Sequence, residues 1–111
     1  MQSKRKTQTQ SVTMVATKTV SGTVIVTESE SALFYVPSGF TSVTITFNVA
    51  EGPAGTFVAL YSGADTKVSV TVAASRWYPV PASVMAAPCF QFVGNEAQAA
   101  VTKTIIVTAK S

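Results

Sequence analysis

From Ser42 to Val49 the chain reads Ser-Val-Thr-Ile-Thr-Phe-Asn-Val, with polar and apolar residues in strict alternation. Successive side chains of a strand point to opposite faces, so Val43, Ile45, Phe47 and Val49 share one face and Ser42, Thr44, Thr46 and Asn48 the other. Lys67 to Ala73 repeats the pattern, with Val68, Val70 and Val72 inward. Segments 12–18, 23–27, 32–36, 56–61, 89–93 and 103–109 alternate less strictly but carry the β-branched and aromatic residues that suit a pleated, half-buried surface. Turn residues separate these segments at Ser21-Gly22, Pro37-Ser38-Gly39, Glu51 to Gly55, Ser62 to Asp65 and Gly94-Asn95. No window has a helical period, although Ala82 to Ala87 has room for one short helical turn after Pro81.

This spacing predicts an all-β fold, an antiparallel β-sandwich or small barrel of about seven to eight strands. Its expected core is Val24, Val26, Val43, Ile45, Phe47, Val68, Val70, Val72, Phe90, Phe92, Ile105 and Val107. At about 1.5–3 kcal/mol for each large side chain fully buried, that set suffices for one domain. Residues 11–111 form the expected sandwich domain. Residues 1–10, polar and basic with no large apolar group except Met1, form a flexible basic N-terminal arm.

Charge changes the picture more than length does. The 111 residues are 47% hydrophobic but only 12% charged, against about 25% in a typical soluble domain. Few charges repel neighbours or penalise burial, so the surface is suited to being covered by other subunits. The net charge of +3 resides in Lys4, Arg5 and Lys6, because the other basic residues balance Glu28, Glu30, Glu51, Asp65 and Glu96. A neutral body has no basic stripe of the kind a broad nucleic-acid groove needs. The three arm charges match about three phosphates, which gives weak contact unless many copies act together. They can equally dock on an acidic patch of a neighbour or serve as a solubilising tail.

The residues argue against an enzyme. Histidine is absent and Cys89 is the single cysteine, so no catalytic site, metal site or cofactor is expected. Cys89 reads as a small buried hydrophobe. Neither glycine-rich phosphate motif occurs. Glu28 and Glu30, about 6–7 Å apart if extended, sit in a Thr-Glu-Ser-Glu-Ser run that reads as a solvated loop. The basic start lacks the apolar run of a signal peptide, and residues 80–93 are too short and too interrupted by proline to span a bilayer. The expectation is a protein made in the cytoplasm with no membrane contact.

Arg76-Trp77-Tyr78-Pro79-Val80-Pro81 is the candidate for partner binding. Pro79 and Pro81 withhold two ladder donors, which places the segment at a sheet edge or crossover. Trp77 and Tyr78 are anchors of the type enriched at interfaces, and Arg76 can stack on them. Closing one end of the core is the competing role for Trp77. Tyr61, before the Ser62-Gly63 turn, is weighed in the same way.

Thr44 to Gly52 resembles a strand-and-turn of small proteins encoded in tailed-bacteriophage structural gene clusters. Ala59 to Val70 is similar to their next hairpin, an aromatic-ended strand followed by a Gly/Asp turn and alternating valines. Tyr78 to Val84 looks like their proline-containing link, and Phe90 to Val93 with Thr104 to Val107 like their two closing strands. The likeness covers about residues 20–110 and is a pattern of strands and turns with no catalytic signature. Two departures are the Glu51-Gly52 turn, where aspartate usually precedes the glycine, and the basic arm, which has no counterpart.

The resemblance implies a virion structural protein, a capsid decoration or cement protein that binds major capsid protein or other virion subunits. A homo-oligomer, dimer or trimer, is expected with it, because closed symmetry hides the same face on each copy. The alternatives are a coat protein whose arm contacts nucleic acid, a neck or tail component, and a host-surface carbohydrate-binding module built on Trp77, Tyr78 and Tyr61.

Overall fold

The structure, a computed structural model, describes residues 7–14, 19–26, 29–40, 44–95 and 103–110. Its strands are β1 (Thr7–Met14), β2 (Val20–Ile25), β3 (Ser31–Val36), β4 (Thr44–Ala50), β5 (Val58–Ala59), β6 (Ser69–Thr71), β7 (Arg76–Pro79), β8 (Cys89–Gly94) and β9 (Lys103–Lys110). A single helical turn, α1 (Ala82–Met85), follows Pro81, whose missing N–H costs nothing at a helix start.

All pairings are antiparallel and they are nested in sequence: β1 with β9, β2 with β8, β3 with β7, and β4 with β5 and β6. The chain is therefore one long hairpin. It is wound so that β9 also pairs β3 and β8 also pairs β4. The winding produces two facing sheets, β1-β9-β3-β7 and β2-β8-β4-β5/β6, joined along one side where Met14 meets Ser21. This is the jelly-roll arrangement of an all-β sandwich.

The position beside β4 is shared by two short strands. β5 pairs Asn48 and Val49, and β6 pairs Thr44 to Thr46. Between them the chain leaves the sheet as a hairpin: the Val68 N–H donates to Leu60 O at 3.0 Å and the Ser62 N–H to Thr66 O at 2.8 Å. Residues 61–67 are exposed throughout. Nine strands thus occupy eight sheet positions.

The two inner faces meet on aromatic rings. Phe34 of one sheet lies 4.9 Å from Phe92 of the other, and Phe92 in turn contacts Phe47 and Phe90, the latter edge-on at 5.2 Å. The expected core residues are buried or packed against the core, except Val43, which lies outside the described residues. Val12, Met14, Phe34, Val36 and Val84 belong to it as well, with Ala32, Phe40, Val80 and Ala109.

Two sequence expectations change. Ser21-Gly22, read as a turn, lies inside β2 at a bulge where the register with β8 shifts. There the buried Ser21 Oγ accepts the Phe92 N–H at 2.9 Å and supplies the acceptor that the shifted ladder withholds. Thr7 to Gln10, given to the arm on composition, are the first half of β1 and pair with Val107 to Lys110. Lys4, Arg5 and Lys6 lie outside the described residues.

Candidate functional site

The segment 76–81 forms the edge of the first sheet, as its prolines require. The Val80 N–H donates to Ala32 O at 2.9 Å, which fixes the phase of the β3–β7 ladder. Alternation then turns the backbone groups of Trp77 and Pro79 away from β3. Pro79 has no N–H, so the outer edge of β7 offers one donor, that of Trp77. Such an edge is a poor template for an added strand.

Side chains alternate along β7. Tyr78 points inward: its ring lies 5.8 Å from Phe34 and its hydroxyl oxygen accepts the Ala73 N–H at 2.7 Å, tying the crossover from β6 to the edge strand. Arg76 shares the inward side but sits exposed at the strand end. Trp77 points outward, is 49% exposed, and lies 5.3 Å from Tyr35 on the neighbouring strand. The aromatic neighbour of Trp77 is thus Tyr35, and Arg76 is directed to the opposite face. Tyr61, 47% exposed, belongs to the hairpin of the other sheet, where it bridges Lys67. Trp77, Tyr78 and Tyr61 therefore share no face.

Trp77 has other company. The register Trp77–Tyr35–Ile106–Ser11 makes one row across the outer face of the first sheet, and Pro79–Leu33–Thr108–Thr9 makes the next. Leu33 is 46% exposed, and Pro79 is exposed beside it. A depression of about 330 Å³ opens at Leu33 and Pro79, bordered by Ser31, Thr108 and Lys110 and floored by the buried Ala32 and Val80. Sequence reasoning singled out Trp77 but missed Leu33, Tyr35 and Ile106. The signal was present: residues 32–36 and 105–107 are apolar at every position, the mark of strands covered on both faces.

The outer face of the second sheet is uncharged among the described residues and mixed in polarity, with Thr23, Gln91 and Asn48 in one row, Thr46, Val93 and the exposed Val20 in the next, and the exposed Ile25 two residues beyond Thr23. The described charged residues keep to turns and strand ends, and of them Lys110 borders the outer face of the first sheet. Glu30, Glu51, Asp65 and Lys67 occupy turns or the hairpin, and Arg76, Lys103 and Lys110 are the first or last residues of their strands.

Cys89 is fully buried, its thiol 3.6 Å from Ala50 O, and burial pushes the thiol pKa up. It is an unreactive core residue. Glu30 is exposed ahead of β3, its N–H donating to Lys110 O at 2.7 Å, and its companion Glu28 lies outside the described residues.

Protein-family models, curated proteins and solved structures give no match to this chain. The functional reading therefore rests on the fold and its surfaces.

Proposed function

We propose that the chain is a virion structural protein, a capsid decoration or cement protein that packs against neighbouring capsid subunits and adds buried area across the joints of the shell. The observation that carries this reading is the placement of charge. Both sheets present broad outer faces whose described charged residues are confined to the rims, Lys110 at the end of β9 among them, so a neighbouring protein can cover the middle of each face without desolvating an ion. The jelly roll is a recurrent architecture of viral capsid domains, which supports the reading by analogy of fold. The resemblance to small tailed-phage structural proteins points the same way.

The test is to probe purified particles of the virus whose genome encodes the sequence with an antibody against the chain. Many copies per particle are expected, and reattachment of purified chain to stripped particles should restore their resistance to heat. Particles free of the chain contradict the proposal.

A coat protein with a nucleic-acid-binding arm is the second reading. It is favoured by the register Thr7–Lys110, which sets the start of β1 beside a cation at one end of the sheet; Lys4, Arg5 and Lys6, which would supply three more, lie outside the described residues. Four phosphate contacts give a slope of log K against log salt of about −2.8 on single strands. A measured slope near zero removes this reading.

A further inference from the structure

We infer that the outer face of β9-β3-β7 is the interface of a two-fold homodimer, in which Trp77 of each copy seats at the Leu33–Pro79 depression of the other. The inference goes beyond the virion reading and stands whether or not the chain belongs to a particle.

The knob and the hole lie on the same face. Trp77 projects half-exposed, and the depression of about 330 Å³ beside Pro79 begins two residues further along the same strand, about 6.8 Å away. A two-fold axis in the plane of the face, perpendicular to the strands and level with Tyr78, exchanges these two positions. The same operation lays the whole of one row over the other: Trp77 over Pro79, Tyr35 over Leu33, Ile106 over Thr108 and Ser11 over Thr9. Apolar groups meet apolar groups at the β7 and β3 positions, and hydroxyls meet at the β1 position. Lys110 falls opposite Thr104, so no like charges are opposed. Self-complementarity of this kind is what an isologous interface requires.

Three further observations select a second copy in face-to-face contact. The apolar runs 32–36 and 105–107 are written for strands covered on both faces, yet Leu33 remains exposed. The strands of this sheet, β1 and β9 of eight residues, β3 of six and β7 of four, at about 3.4 Å per residue and about 4.8 Å apart give about 420 Å² in projection; this is about half of the roughly 800 Å² per partner of a stable interface before the relief of the side chains is added. Pro79 blunts the β7 edge, which disfavours the competing edge-to-edge dimer.

Sedimentation equilibrium of the full chain tests the inference, with Trp77→Lys, Leu33→Lys and, as a control on the other sheet, Val58→Lys. Val58 is 61% exposed, and all three positions are open enough for the fold, checked by circular dichroism, to survive. The expected result is a wild-type dimer, a dissociation constant raised about 100-fold or more by either face variant because each is lost twice per dimer, and no change for Val58→Lys. A wild-type monomer at 100 μM (an order-of-magnitude ceiling for specific association), a trimer, or a dimer that survives both face variants overturns it.

Discussion

The side-chain amide of Gln10 stands in for a backbone peptide opposite Ile25. Its Oε1 accepts the Ile25 N–H at 3.0 Å and its Nε2 donates to the Ile25 carbonyl. Counting back from the Met14–Ser21 pair, Gln10 is the residue in antiparallel register with Ile25, so the strands have separated by one side chain while the hydrogen bonds persist. This is how the two sheets part at their shared corner without leaving Ile25 unpaired.

Replacing Gln10 by alanine opens that corner. Water reaches the freed groups because the site is exposed, so the cost is about 1 kcal/mol in urea unfolding. The Ile25 amide should exchange with solvent markedly faster while amides of β8 keep their protection. Unaltered exchange at Ile25 would show that the bridge is ornamental.

Ser21→Ala should cost more, about 2 kcal/mol, although it removes only one oxygen. The Phe92 N–H that the hydroxyl satisfies is buried at the bulge and has no water to turn to. The measurement is the urea midpoint at unchanged slope.

Adjacent aromatics on β7 should separate cleanly. Tyr78→Phe loses the Ala73 hydrogen bond for about 1 kcal/mol, and Tyr78→Ala loses the contact with Phe34 as well, for about 3 kcal/mol or more. Trp77→Ala, by contrast, should leave the midpoint within about 1 kcal/mol of wild type at concentrations where the chain is monomeric, because half the indole already faces water. A large stability loss at Trp77 would make it a core residue.

The buried thiol of Cys89 gives a pH dependence of definite sign. Burial holds its pKa above the unfolded value, so its contribution to stability is complete below about pH 8.5 and is lost as pH rises toward the folded pKa. Cys89→Ala should remove that alkaline decline while lowering stability at neutral pH. An identical alkaline slope in both proteins would assign the decline to other groups.

Most of the fold was legible because alternation survives wherever one face of a strand is buried. Ile45 and Phe47 follow from strict alternation, Phe90 and Phe92 with Ile105 and Val107 from looser alternation and β-branched or aromatic content, and all lie in the core. The pattern failed where backbone and side chain exchange roles. Ser21-Gly22 has the composition of a turn, yet a hydroxyl completes the ladder and the strand runs on. Gln10 has the composition of an arm, yet its partner is residue 25, and no local pattern encodes a contact that remote. The nesting of strand pairs was likewise invisible, because pairing partners are set by winding and not by any one segment. At the candidate site, Trp77 announced itself by type, whereas Leu33, Tyr35 and Ile106 passed for core because an apolar run does not say which face a neighbour covers.

The central claim is that the uncharged faces of this sandwich are built to be covered. Hydroxyl-radical labelling of Ile25 and Val20 on the outer face of β2, and of Trp77 and Leu33 on that of β3 and β7, reads this directly in purified particles against dilute free chain. The account predicts strong protection of Trp77 and Leu33, and of Ile25 wherever the second sheet meets the shell, with Tyr61 on the protruding hairpin still reactive. Labelling at Trp77 and Leu33 that is as fast in particles as in the free chain would contradict it.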